Sequence, residues 1–210
     1  MNFRIAVVGT GAIGSYYGGK PAYHDDDVCF LVRSGFGEIK RLGIQVRGKK
    51  ESFSLAKVRA YKTTEAIGPC DLVLIALKAT NNDVLPELIP PLLHESTALL
   101  TLQNGLGNEE FLARHFGDER VLGGLCFICL NRVSPGVIEH FDYGSLTIGE
   151  FTGFPKPRTH DIASEFKRCG VVCNVVENLL RERWRKLVWN VPFNGLSSSR
   201  RNYDARYFAG

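Results

Sequence analysis

A short apolar strand, Ile5-Ala6-Val7-Val8, runs straight into Gly9-Thr10-Gly11-Ala12-Ile13-Gly14. A helix is predicted from Ala12 to Tyr23 and a second strand from Val28 to Val32. Few folds accept three glycines at this spacing between a buried strand and a helix. Gly9 allows the tight turn, Gly11 lets the backbone approach a pyrophosphate, and Gly14 lets the helix pack close to the strand. The helix start offers unpaired N–H groups and a positive dipole end to phosphates. Residues 9–14 are therefore candidate dinucleotide-binding residues. The alternative is a glycine-rich strand–helix turn that holds no ligand.

The end of the second strand separates two kinds of dinucleotide. A carboxylate there bonds ribose hydroxyls, whereas this chain has Leu31-Val32-Arg33-Ser34. A guanidinium can pair with a 2′-phosphate, which a carboxylate would repel. Arg33 thus favours NADP over NAD, unless it is a solvated strand-end arginine. Pro21 conflicts with a helix reaching Tyr23, because it removes an amide donor and crowds the Tyr17 carbonyl. Asp25-Asp26-Asp27 at the negative helix end is also unfavourable. An early helix end, eased by Gly18 and Gly19, or a kink is expected there.

Further along, strand-like pieces alternate with helical ones. Gly43–Arg47 and Phe53–Tyr61 read as strands joined by the turn Gly48-Lys49-Lys50. Asp71–Leu77 is an unbroken apolar strand of the kind buried on both faces of a parallel sheet. A prolyl-rich helix is expected over 81–93, a strand at Ala98–Leu102 and a helix near Glu109–His115. Strands follow around Val121–Leu130, Val137–His140 and Leu146–Ile148. The last pieces are a helix at Thr159–Cys169 and a strand at Val171–Val176. This alternation predicts a doubly wound, Rossmann-like parallel sheet over residues 1–176. From Glu177 the period changes to helical, with Leu180, Trp184, Leu187, Val188 and Val191 on one stripe. Residues 177–210 read as the start of an all-helical second domain with a poorly ordered tail.

Composition narrows the class. At 44% hydrophobic and 23% charged residues, the chain is too apolar for low-complexity disorder and too mixed for a fibre. No apolar run approaches the roughly 18 residues of a membrane helix, and the sequence opens on a strand rather than a leader, so a cytoplasmic protein without a membrane partner is expected. Residues 1–150 carry 15 basic against 17 acidic groups, and residues 151–210 carry 11 against 5. The basic surplus comes without a nucleic-acid recognition motif, so no nucleic-acid partner is expected. Cys126 and Cys129 with Cys169 and Cys173 are numerous enough for a zinc site. However, a spacing of three on a strand sends side chains to opposite faces, so buried thiols and no metal are expected. The five histidines show no ligand spacing.

Five segments occur in order: Gly9–Gly14, Leu31-Val32-Arg33, Ala76-Leu77-Lys78, Gln103-Asn104-Gly105-Leu106-Gly107, and Trp184-Arg185-Lys186-Leu187-Val188-Trp189-Asn190. Together they resemble the ketopantoate reductase (2-dehydropantoate 2-reductase) family over nearly all of residues 1–197. The resemblance implies NADPH-dependent reduction of 2-dehydropantoate, or a related 2-keto acid, to pantoate, a step toward pantothenate and coenzyme A. It implies Lys186 as the catalytic lysine, Asn190 and Asn194 as substrate-holding amides, Asn104 as a contact to both nicotinamide and substrate, and Lys78 near the reacting centre.

Those roles make chemical sense. Hydride delivery to a ketone leaves an alkoxide that needs a proton. A lysine can supply it when burial pulls its pKa down from about 10.4, and Arg183 and Arg185 would push the same way. Lys186, Asn190 and Asn194 recur every four residues, one helical stripe drifting about 80° over its length. Read without the resemblance, that stripe is equally a solvated polar face. Likewise Asn104 is a loop asparagine before a glycine turn, and Lys78 a surface lysine. Pro192 predicts a kink near Asn190.

Family members continue into a longer helical domain that supplies a glutamate and a serine to the site, and no match to either occurs here. The chain departs from the family after Leu196, so a truncated product is expected. A helix over Leu179–Asn194 would then show an exposed apolar stripe and invite low stability or homo-oligomer formation. Two readings stand: a reductase, or a non-catalytic NADP-binding remnant of one.

Overall fold

Strand β1 (Arg4–Val8) alternates its side chains between two cores, Ile5 and Val7 in one, Ala6 and Val8 in the other. The same alternation holds in β2 (Asp27–Leu31), β6 (Leu72–Ile75) and β7 (Ala98–Thr101). A sheet buried on both faces must be covered on both faces. The computed structural model, which describes residues 3–188, supplies that cover. Helices α1 (Ala12–Tyr23) and α5 (Pro157–Arg168) place Tyr16, Tyr17, Ile162 and Phe166 on one face. Helices α3 (Leu85–Leu88) and α4 (Asn108–Phe116) place Leu85 and Leu112 on the other.

The remaining elements are α2 (Phe36–Leu42), β3 (Ile44–Gly48), β4 (Phe53–Leu55), β5 (Arg59–Tyr61), β8 (Val121–Ser134), β9 (Val137–Glu150) and β10 (Cys173–Val175). One ten-stranded sheet runs β4-β3-β9-β8-β7-β6-β1-β2-β5, with β10 also beside β9. The pairs from β8 through β7, β6, β1 and β2 to β5 are parallel. Strand order reverses beside β1, where ligands bind at the carboxyl edge of such sheets.

Four expectations need correction. The sheet is parallel-rich but mixed, because β8 and β9 form one long antiparallel hairpin where short separate strands were expected. Strand β9 continues through a bulge with Tyr143 at φ 64° and Gly144 at φ 139°. Its first half then pairs with β3 and its second half with β10. The Phe53–Tyr61 piece is two strands, β4 and β5, at opposite ends of the sheet. Around the prolines, 81–93 is not one helix but a 3-10 stretch at Ala79–Val84, the short α3, and another at Pro90–Leu92. Finally, α1 runs through Pro21 to Tyr23. Pro21 sits in the last turn, where the helix ends before the lost bond can propagate.

After β10 a helix, here α6, covers 179–188, the last described residues. Leu179 and Arg183 are buried against the sheet, while Leu180, Trp184 and Val188 are 55, 55 and 74% exposed. The apolar stripe is therefore uncovered over these residues. Trp189, Asn190, Val191, Pro192 and Asn194 lie outside the described residues.

Candidate active site

The glycine turn follows from close packing. Gly9 has φ 108°, and a Cβ there would stand 2.7 Å from the backbone at Ala76 and Leu77, just past β6. A Cβ on Gly14 would overlap the Gly9 carbonyl oxygen. These two glycines are demanded by the protein itself. Gly11 is not: its φ of −86° suits any residue, and a Cβ would meet nothing within 4 Å. The space over its backbone is open.

Helix α1 begins at that space. Its first internal bond runs from the Ser15 N–H to the Gly11 carbonyl at 2.9 Å, so the amides of Ala12, Ile13 and Gly14 lack helical acceptors. No side chain caps this end and no carboxylate stands in its first turn. A positive helix end free of its own anion, beside a glycine with no structural need to be glycine, fits a diphosphate. The Thr10 hydroxyl donates to the Leu31 carbonyl at 2.8 Å and ties the turn to the end of β2. Arg33 follows two residues later, exposed and without an ion pair among the described residues. It therefore lies just past the end of β2, beside the turn, with its guanidinium free among the described residues.

A second cluster of functional groups lies farther along the carboxyl edge. In the β7–β8 register Thr101 faces Gly123, so three residues on, Asn104 and Cys126 reach the same level. Lys186 on α6 crosses to both. Its ammonium donates to Asn104 Oδ1 and to the Cys126 carbonyl, each at 2.8 Å. Burial pulls the Lys186 pKa below the ordinary lysine value, and the neighbouring Arg183 guanidinium pushes it the same way. The Cys126 thiol opposes them when ionised, but its own burial raises it to about 11, leaving it neutral at physiological pH. Arg185, expected to help, is exposed and pairs instead with Glu182 at 3.6 Å.

The sequence reading missed a buried network beneath these groups. Arg183 Nε donates to Glu109 Oε1 at 3.0 Å, its Nη2 donates to the same oxygen, and its Nη1 donates to the Gln103 carbonyl at 2.8 Å. Gln103 Nε2 donates to Asn82 Oδ1 at 2.7 Å, Asn82 Nδ2 to Asn108 Oδ1 at 3.0 Å, and Asn108 Nδ2 to the Asn104 carbonyl at 3.1 Å. Its faint sequence signals are an arginine one turn before Lys186 and a glutamate just after the Gln103–Gly107 loop.

Lys78 starts the Ala79–Val84 stretch after β6, on the same edge. It is exposed, and no hydrogen bond joins it to Asn104 or Lys186 among the described residues. The structure thus brings together Lys186 and Asn104, and separately the turn 9–14 and the end of β2. All six cysteines are free thiols. Asp26, Glu165 and Cys169 converge elsewhere, where Arg168 pairs with both carboxylates. No helix among the described residues is long and apolar enough to cross a membrane.

The chain is also similar to known proteins. Residues 5–153 match the family described as Ketopantoate reductase PanE/ApbA. A 2-dehydropantoate 2-reductase of Nostoc sp. is 42% identical over 203 residues, which cover 94% of this chain and 64% of the relative. The crystal structure of 2-dehydropantoate 2-reductase from Geobacter metallireducens superposes with a TM-score of 0.89 at 47% identity, over 92% of this chain and 64% of that one. The Methylococcus capsulatus enzyme of the same name gives 0.84 at 31%, over 92 and 63%. The chain thus spans just under two thirds of the length of these relatives.

Proposed function

The chain belongs to the ketopantoate reductase family, and we propose that it reduces a 2-keto acid, 2-dehydropantoate, to the 2-hydroxy acid, with NADPH as reductant. One observation carries the reading: an ammonium with a lowered pKa is held against an asparagine amide on the sheet edge that also carries an open, uncapped glycine turn. NADPH, when bound, supplies a hydride to the keto carbon.

The chain's own groups do the rest. The amides of Ala12, Ile13 and Gly14 take the diphosphate, with Gly9, Thr10 and Gly11 shaping the turn. Arg33 pairs with the 2′-phosphate. Lys186 donates a proton to the developing alkoxide, and Asn104 keeps the ammonium turned toward the substrate side and contacts the nicotinamide. Lys78 lies near the reacting centre. Asn190 and Asn194, outside the described residues, would continue the Lys186 stripe and hold the keto acid. On this reading residues 1–176 bind the nucleotide and residues 177–210 contribute to substrate binding.

Titration of NADPH fluorescence, followed by an assay of 2-dehydropantoate reduction, tests the proposal. The expected result is tighter binding of NADPH than NADH, with turnover. Arg33→Ala should cut that preference roughly ten- to a hundredfold, the worth of a charge-assisted bond of about 1.5–3 kcal/mol. Equal affinity for both nucleotides removes the Arg33 assignment. Binding without turnover reduces the chain to a nucleotide-binding protein.

A further inference from the structure

The Arg183–Glu109 pair is expensive to bury and unnecessary for docking α6. Both residues are at most 4% exposed. Buried ion pairs contribute little net stability, and apolar side chains of similar size often replace them without loss. Leu179, one turn earlier on α6, already packs on the sheet at Gly123 and Gly149. Strand β8 even gives up a side chain for the pair: a Cβ on Gly123 would overlap the Glu109 carboxylate. What the ion pair does that an apolar contact cannot is orient a guanidinium toward a backbone carbonyl.

That carbonyl belongs to Gln103, immediately before Asn104. From Gln103 the bonds run through Asn82 and Asn108 back to the Asn104 carbonyl. Lys186, on the same helix as Arg183, closes the ring by donating to the Asn104 side chain. The loop is thus held to α6 at two points three helix positions apart, one deep and one at the surface.

We propose that Arg183, locked by Glu109, is a positioning residue. It fixes the 103–108 loop to α6 and so sets the Asn104 amide against the Lys186 ammonium. This rests on the reading of Lys186 as proton donor. It adds that the donor's geometry is set from below by a charge pair that touches neither substrate nor nucleotide.

The test uses the whole chain. Arg183→Met combined with Glu109→Leu removes both charges at similar volume, so melting is expected to stay near wild type. kcat should fall about 100-fold through misplacement alone, with the NADPH Kd and substrate KM within roughly threefold. Lys186, followed by NMR titration of its side chain and assigned against Lys186→Met, should titrate higher than in wild type. The Arg183 charge that pushes it down is gone, while Cys126 on β8, the other titratable group facing it among the described residues, is unchanged. If the double variant does not fold, Arg183→Lys takes its place. One ammonium can neutralise Glu109 but cannot also span to Gln103, so kcat should fall about tenfold at unchanged Kd. A variant that melts lower yet keeps wild-type kcat overturns the proposal, since the pair is then only a strut. An inactive wild-type chain would instead count against the reductase reading. Whether the Asn104 side-chain amide resonances still follow the Lys186 titration, as their 2.8 Å bond requires, decides the positioning claim in either case.

Discussion

The glycine turn and the Lys186 edge lie on one side of one sheet, yet they are built in opposite ways. The turn is backbone. Residues 9–14 are contiguous, three of them have no side chain, and what they offer a ligand is amides. The Lys186 edge is side chains. Asn104, Cys126, Arg183 and Lys186 come from three segments, and their meeting depends on β7–β8 register and on the docking of α6. A backbone site tolerates loss of a neighbouring side chain but not insertion of one. A side-chain site behaves the other way.

The largest expected effect tests the second half of that contrast. Lys186→Ala should lower turnover by 10²–10⁴-fold, the usual worth of a positioned general acid, while the NADPH Kd moves less than about twofold. An unchanged rate removes Lys186 from the mechanism, and a large change in Kd would merge the two regions that the comparison separates. The pH profile sharpens the point. In the proposed mechanism the active form is the protonated ammonium, and its pKa is lowered. The rate should therefore fall with rising pH at a midpoint below the ordinary lysine value near 10.4. The stability linkage has the opposite sign. A lysine held below its unfolded pKa binds fewer protons when folded, so its cost to stability is full at low pH and disappears as pH rises through that window. Activity falling while stability rises over the same interval is the signature, and parallel trends would break it.

The backbone half is tested by two glycines of one motif. Gly14→Ala overlaps the Gly9 carbonyl, and overpacking of this kind costs about 1–3 kcal/mol. Melting and nucleotide binding should both fall. Gly11→Ala meets nothing, so melting should stay within about 0.5 kcal/mol of wild type, while NADPH affinity drops tenfold or more. Loss of stability without loss of affinity at Gly11 would mean the open space is not a ligand's.

The same contrast explains what the sequence revealed. The turn was legible because its chemistry is local: strand, glycines and helix start are consecutive. The burial of both sheet faces was legible in the unbroken apolar run at β6. Lys186 and Asn104 were found only through ordered motifs, and nothing in either segment says that they touch. Arg183 read only as a neighbour lowering the Lys186 pKa, because its partner Glu109 lies 74 residues away and helical periodicity carries no long-range pairing. The β8–β9 hairpin was divided into short strands, with a break between His140 and Leu146 that includes Tyr143-Gly144. In the structure it is a bulge, held by bonds to the partner strand on both sides.

The smallest effect tests how strictly the turn is backbone. Ser15 directly follows the last motif glycine, and its hydroxyl is fully buried without a hydrogen-bond partner among the described residues. A buried hydroxyl left unpaired carries a desolvation cost of about 1–3 kcal/mol, and alanine is also the better helix former by a few tenths. Ser15→Ala should therefore raise the melting temperature by a few degrees, about 1 kcal/mol for a domain of this size, and leave NADPH affinity unchanged. Thermal melts with and without nucleotide read both quantities. A lower melting temperature would mean the hydroxyl has a partner within the fold. A rise accompanied by weaker NADPH binding would mean that partner is the nucleotide, and the turn would then recognise its ligand by a side chain as well as by amides.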